Sequence, residues 1–341
     1  MSAGRRATRL LEVRRVAAVT PALREVRLGE RPTVLAVLPH YGAPAETVLA
    51  VHSLIATGYP KLQLLVVDNS SNLAAHWFPE GVELLQPGEN IGYCAAINRG
   101  IDRAAERGDD MLLMINNDTQ CDPGSIERLA EAMVADPTVA GVGPLLTTEG
   151  GGTIWSAGSY LKFGPNEVRQ HGLGRPVSEA PPFPAEVDFV PGALALYWTE
   201  DLVAVGGVEE DYFMYLEDAD LGCRLRKRGR RMLYLPWVRV HHGGSLSSGG
   251  GVSPLRKFLN GVNTPRFLRR HGTPRLWLSF VLFDVLGLVP SVLRHLGNRR
   301  RLRAQVAKGY GIARGFFGYR ASPKDVERYV DATEVGEAVG E

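Results

Sequence analysis

The chain of 341 residues is 45% hydrophobic and 22% charged, enough apolar material for one large globular domain or two. That composition excludes a disordered chain, a collagen and a multi-span membrane protein. Three cysteines without a C-x-x-C pair argue against a disulfide framework or a zinc ribbon and predict a reducing compartment. Met1 to Arg15 is arginine-rich with no long apolar stretch behind it, so no secretory signal is expected.

Residues 1–31 carry eight Arg against three Glu and read as a basic appendage. From Thr33, short apolar runs alternate with amphipathic segments. Strands are predicted at Thr33–Leu38, Leu62–Val67, Val82–Leu85, Met111–Ile115 and Val139–Val142, with helices at Ala45–Thr57, Ala95–Ala105 and Ser125–Ala135. Residues 144–190 are rich in Gly and Pro and read as an irregular excursion over a binding face. Val187–Trp198 resumes strand character, and Glu217–Arg228 is a helix ended by Gly229. Met232–Leu235 and Val238–Val240 are two short strands leading into His241-His242.

Residues 256–320 then carry fourteen basic side chains against Asp284 alone, before an acidic tail at 321–341. Within that block Leu276–Leu293 is an apolar run of eighteen residues, interrupted by Asp284 and Pro290 and bracketed by arginines. Its pattern suits the interface of an anionic membrane better than the bilayer centre. No nucleic-acid reader motif accompanies the charge, so nucleic acid is not expected as a partner.

Strands alternating with helices imply an α/β fold whose parallel sheet is covered on both faces, with ligands bound beyond the carboxyl ends of the strands. The polar clusters at 39–42, 68–71 and 116–118 each follow a strand and therefore converge on one sheet edge. Asn116-Asn117-Asp118 offers one carboxylate and two amides, which with diphosphate oxygens and water suit Mg2+ or Mn2+, or form only a turn. Glu217, Asp218 and Asp220 stand at a helix start, where the dipole favours acids. Capping needs one acid, and three together suit a base, a cation or a hydroxylated substrate. Helical spacing puts 217 and 220 on one face and 218 on another. His241 and His242 point to opposite faces of a strand, so one of them faces the site. Asp68 is placed to accept from a nucleobase or ribose, and Gly92 lets backbone approach a phosphate at a helix start. There is no G-x-G-x-x-G, no phosphate-binding G-x-x-x-x-G-K-[ST] and no G-x-S-x-G.

In order along the chain, Val-Val-Asp-Asn-Ser-Ser at 66–71, Glu-Asn-Ile-Gly-Tyr at 89–93, Asn-Asn-Asp-Thr at 116–119, Pro-Gly-Ala at 191–193 and Val-Gly-Gly-Val-Glu-Glu-Asp-Tyr-Phe-Met-Tyr-Leu-Glu-Asp-Ala-Asp-Leu at 205–221 resemble the family 2 glycosyltransferases of GT-A fold, particularly the rhamnosyltransferase-like branch. The resemblance covers about residues 33–250. It implies a nucleotide-sugar-binding domain over 32–255, which the basic, apolar segment over 256–320 read above from charge and hydropathy then follows. It also implies an inverting transfer, dependent on Mn2+ or Mg2+, from a nucleotide-diphosphate sugar to an acceptor hydroxyl.

Carried over by position, Asp118 matches the last Asp of the family's DXD motif and would hold the metal, while Asn116 stands where many members have the first Asp. His241 or His242, with His241 preferred, would complete the metal–diphosphate site. Asp68 would contact the base, with Pro39, His40 and Tyr41 on its other side and Asn90, Gly92, Asn116 and Asn117 completing the donor pocket. Asp218 would be the general base, and Glu217 and Asp220 would bind acceptor hydroxyls or fix the helix. The implied acceptor is a glycan or a polyprenyl-diphosphate-linked saccharide at the cytoplasmic face of the cell membrane. A sugar nucleotidylyltransferase is the alternative enzyme, but residues 39–58 lack the basic side chain its triphosphate loop needs. A non-catalytic nucleotide-sugar binder would be marked by loss of Asp118, Asp218 or the His pair, and all are present.

Overall fold

The computed structural model describes residues 31–148, 150–165, 168–243 and 253–329. The appendage through residue 30, Gly244-Ser245 after the His pair, and the tail from residue 330 lie outside the described residues.

In chain order the first half comprises β1 (Val34–His40), α1 (Pro44–Ala56), β2 (Leu62–Asp68), β3 (Val82–Leu85), α2 (Gly92–Arg107), β4 (Met111–Ile115), β5 (Thr119–Cys121), α3 (Ser125–Ala135) and β6 (Val139–Thr147). β3, β2, β1 and β4 lie side by side and parallel. β1 and β4 are buried along their whole length, which is why both read as unbroken apolar runs. Alternate residues serve two cores. Leu35, Val37, Leu112 and Met114 join Ile97 and Ile101 of α2. Val34, Ala36, Leu113 and Ile115 join Val51 and Leu54 of α1 and Leu129 of α3.

The excursion after β6 is not irregular throughout. It contains β7 (Ile154–Ser156), the β8 (Ser159–Leu161) and β9 (Val168–Gln170) hairpin, and β10 (Ala185–Val187). The expected strand at 187–198 is two strands, because Pro191-Gly192 turns the chain between β10 and β11 (Leu194–Trp198). β11 inserts antiparallel between β4 and β6, so the sheet is mixed rather than wholly parallel. After α4 (Thr199–Ala204) and α5 (Glu217–Lys227), β12 (Arg231–His242) runs parallel to β6 as one strand. A register shift between Leu235 and Arg239 absorbs Pro236, where the sequence suggested a break.

The basic block folds as α6 (Pro254–His271), α7 (Pro274–Phe280), a single wide π-type turn over Val281–Leu286, α8 (Leu288–Arg294), α9 (Arg299–Phe316) and α10 (Pro323–Tyr329). Side-chain oxygens cap three of these helices: Ser253 accepts from the Arg256 amide, Thr273 from the Leu276 amide and Asn298 from the Arg301 amide. α6, α9 and α10 enclose a third core, in which Phe258, Val262, Ala307 and Val326 pack around Phe213. Phe213 belongs to the segment just before α5, so the helical block is built onto the site rather than appended to it.

Candidate active site

A cavity of about 440 Å³ opens beyond the carboxyl ends of β1, β2 and β4, where the topology of such sheets places ligands. Its sheet-side lining includes Pro39, Tyr41, Asn69, Asn90, Gly92 and Asn116. Tyr93, Gly192 and the 213–218 segment form a further wall, and α6 closes the cavity with Arg256, Lys257, Asn260, Thr264 and Phe267.

Two expected donor contacts do not face this space. His40 is fully buried, with Nδ1 2.6 Å from Thr47 Oγ1 and Nε2 2.8 Å from Asn72 Oδ1. Asp68 is also fully buried, and its carboxylate accepts from the Ser70 and Leu73 amides and from Gln86 Nε2 at 2.9, 2.9 and 3.1 Å. Burial alone would raise the Asp68 pKa, but these donors outweigh it and hold the carboxylate below its ordinary range. Both residues therefore build the loops that present Pro39, Tyr41 and Asn69 to the cavity, and the expected base contact of Asp68 is withdrawn.

At the end of β4, the Asn116 amide donates to the Ala193 carbonyl at 3.1 Å. Behind Asn116 stands His242, its Nε2 3.2 Å from Asn116 Nδ2 and 3.3 Å from Asp118 Oδ1. The imidazole packs on Trp155 of β7, ring centroids 4.5 Å apart. Burial lowers the His242 pKa, and nearby Arg256 adds to that against the opposing pull of Asp118. This favours the neutral ring that ligates metals. The preference for His241 is thus corrected: strand alternation turns it outward, where it meets Thr147 Oγ1 at 2.9 Å and stands 3.7 Å from Asp122.

No cluster of three or more His, Cys, Asp or Glu side chains suited to a metal occurs among the described residues. The chemistry of the pair nevertheless fits a hard divalent cation with an open coordination sphere. His242 Nε2 and Asp118 Oδ1 stand 3.3 Å apart, and a bound cation would take the single Nε2 lone pair in place of the Asn116 Nδ2 contact. Adjacent ligands at right angles and about 2.1 Å from an ion lie about 3 Å apart.

The acids of α5 separate in an unexpected way. Phe213, Tyr215 and Leu216 all have positive φ, 61°, 73° and 70°, an unusual conformation for bulky residues that tertiary contacts must enforce. Those contacts come from two sides. Gly92 leaves room for the Phe213 ring, which a Cβ would meet at 2.6 Å. Asn263 of α6 shares its two Nδ2 hydrogens among the Tyr212, Met214 and Tyr215 carbonyls at 2.9–3.0 Å. The left-handed Leu216 starts α5 so that Glu217 and Asp218 both line the cavity.

Asp218 accepts from its neighbour's amide, Ala219, at 2.8 Å and from the Gly192 amide at 3.4 Å. Burial raises its pKa to about 6 despite these bonds. Burial first, and the Asp218 charge second, push Glu217 up further. Glu217 Oε2 is buried with no hydrogen-bond partner among the described residues.

Asp220 lies outside the cavity, correcting the expectation that 217 and 220 share a face, and of the two roles open to it the contacts favour fixing the helix over binding acceptor hydroxyls. It is fully buried, 2.7 Å from His271 Nε2 and 2.6 Å from Arg224 Nε. Burial would raise its pKa, but His271 and Arg224 reverse the shift and hold it low. Its role is to lock α5 onto α6.

A mixed α/β sheet whose strand ends open on one cavity, with Glu217 and Asp218 in its wall, is the architecture of a glycosyltransferase of GT-A type. Two solved structures share the fold: a mannosyltransferase from Pyrobaculum calidifontis in complex with GDP-Man and Mn2+ (TM-score 0.52, 15% identity, 85% of this chain and 88% of that one), and GalNAc-T7 with UDP, GalNAc and Mn2+ (TM-score 0.51, 13% identity, 76% of this chain and 58% of that one). Residues 36–185 match glycosyl transferase family 2. An N-acetylglucosaminyl-diphospho-decaprenol L-rhamnosyltransferase of Mycobacterium tuberculosis is 34% identical over 246 residues, 63% of this chain and 77% of that protein. The chain belongs to glycosyl transferase family 2 and is a glycosyltransferase.

Proposed function

We propose that the enzyme transfers a sugar, rhamnose being the candidate that the mycobacterial relative's name suggests, from a nucleotide diphosphate to a hydroxyl of a lipid-linked saccharide, with inversion at the anomeric carbon. One observation carries this reading. The Pro191-Gly192-Ala193 turn holds Asp218 through the Gly192 amide and Asn116 through the Ala193 carbonyl. The turn thus links Asp218 to Asn116, whose side chain meets His242, and this supports a base and a metal site that adjoin.

Asp118 and His242 would hold Mn2+ or Mg2+, which when bound stabilises negative charge on the departing diphosphate. Asn69 and Asn90 bond the Gly92 and Ile91 backbone and so fix the loop at the start of α2 that lines the donor side of the cavity. Asp218, ionised above about pH 6, takes the proton of the attacking hydroxyl. Glu217, protonated at neutral pH because its pKa is raised, donates a hydrogen bond to a neighbouring acceptor oxygen.

The acceptor reading rests on the helical block. Pro274–Arg294 is long and apolar enough to cross a membrane by length and composition. It is broken by the wide turn, however, and Asp284 within that turn pairs inward with Lys308. Leu286, Val289 and Leu293 are 60–64% exposed, beside Arg275, Arg294 and Arg299–Arg301. Such a face lies on an anionic membrane rather than through it, which would place the enzyme peripherally on the cytoplasmic surface.

A thermal-shift panel with UDP, dTDP and GDP, with and without Mn2+, tests the donor site. Stabilisation by one nucleotide only with metal is expected, whereas no shift with any nucleotide would remove the donor reading. Co-sedimentation with anionic but not neutral vesicles tests the attachment.

A further inference from the structure

Away from the sheet edge the cavity becomes basic. Arg256 and Lys257 stand on the first turn of α6, and Lys308 reaches the same cavity from α9. The two helices meet backbone to backbone: a Cβ on Gly261 would lie 2.5 Å from the Lys308 carbonyl oxygen, and one on Gly311 2.3 Å from that of Phe258. This close approach brings Lys308 alongside the Lys257 turn. Besides Glu217 and Asp218, one further acid lines the cavity. Asp284 is buried and bonds Lys308 through one oxygen, while its other oxygen has no hydrogen-bond partner among the described residues.

Lys257 has no carboxylate partner among the described residues, and burial together with the charges of Lys308 and Arg256 lowers its pKa, Asp284 opposing only in part. Of the acids that line the cavity only Asp284 bonds one of the three cations, and a partly buried Lys257 without such a partner is costly unless an anion meets it. Asp284 also occupies a π-type turn, a distortion frequent at functional sites.

We propose that Lys257 and Lys308, the latter oriented by Asp284, seat the diphosphate of a polyprenyl-linked acceptor. The hydrocarbon then leaves over the exposed face of α7 and α8, and the sugar points toward Asp218. The inference deepens the lipid-linked reading above and rests on it. Arg256, close enough to His242 to shift it and 5.6 Å over the Tyr215 ring, belongs to the donor side. The lysines stand on the helical wall that carries the apolar face.

The test is calorimetric binding of farnesyl diphosphate to the full chain, with farnesol as the uncharged control and the stabilising nucleotide plus Mn2+ as the donor-site probe. Lys257→Gln is expected to weaken farnesyl diphosphate about tenfold. The double variant Asp284→Asn/Lys308→Gln, which removes the buried pair together so that neither charge is stranded, should do likewise. Nucleotide affinity should hold in both, and farnesol should not distinguish the proteins. Unchanged farnesyl diphosphate affinity in both variants overturns the seat. So does a loss confined to the nucleotide, which would give the lysines to the donor. If the wild-type chain bound nucleotide but no farnesyl diphosphate, the lipid-linked reading would fall first and the seat with it.

Discussion

The cavity has two walls of different construction. On the sheet side the ligand space is shaped by chain ends: His40, Asp68 and Asn116 are tied to nearby loops, and positions follow from strand register. On the helical side it is shaped by packing over long sequence distances: Asn263 grips a segment some fifty residues earlier, and α9 lies on α6 through glycines. The sheet wall is therefore set largely by strand ends, and in the proposed reading it takes the donor. The helical wall depends on cooperative packing, and it is where acceptor selection can vary without disturbing the nucleotide site.

The largest expected effect falls where the walls meet. Asp218→Asn removes the base while keeping the shape of the side chain, so turnover should fall by about 10³-fold or more while nucleotide affinity with Mn2+ is retained. In the wild type the carboxyl must be ionised to act, so kcat should decline as pH drops through about 6, above the usual carboxylate range. Near-normal turnover of the variant, or an acid limb near pH 4, would place the base elsewhere.

Next comes a contrast within the sheet wall. His242→Ala, which removes a proposed ligand itself, should abolish the metal-dependent part of nucleotide binding. His241→Ala, altering a partly exposed ring on the other face of β12, should change little. Titration of Mn2+ against both variants decides the matter, and the reverse pattern would refute the assignment of His242.

How far the sequence could be read follows the same division. Apolar runs such as Met111–Ile115 and the polar clusters after them located the sheet edge, because strand burial and strand ends are local properties. The His pair was visible, but choosing its inward member required β12 to be continuous through Pro236, and Pro236 itself argued against that. Helical spacing set Glu217 and Asp220 on one face and Asp218 on another, while the choice of Asp218 as base came from the resemblance. The actual faces depend on the left-handed Leu216, which is held by a segment carrying no local signal for it. Asn263, Lys257 and Lys308 could not be found from spacing, since only tertiary packing brings them to the cavity.

Asn263→Leu probes that packing directly. Loss of its bonds to three carbonyls should cost about 1–3 kcal/mol locally and lower kcat by about tenfold through slack in the 213–216 segment. A merely structural defect would leave the pH profile of the remaining activity unchanged. A positioning role should move the acid limb down toward the ordinary carboxylate range, because a loosened segment lets water reach Asp218. Asn263→Gln, which keeps the amide, should recover part of the shift.

The smallest effect on chemistry is expected at Asp220, two residues from the base and on the other side of the helix. Asp220→Asn leaves His271 and Arg224 without their carboxylate, so stability should drop by about 3–5 kcal/mol, as for other broken buried ion pairs. Turnover per folded molecule should stay near wild type, because Asp220 does not face the cavity. The folded-state pKa of Asp220 is depressed, so its stabilisation is present above the unfolded carboxylate range, roughly pH 4, and is lost as pH falls through the folded value. Thermal denaturation of the wild type should accordingly steepen below that range, while the variant's profile stays flatter there. If Asp220→Asn instead kept its melting temperature and lost turnover, the acid would have to face substrate, and the distinction between a catalytic and a locking face of α5 would collapse.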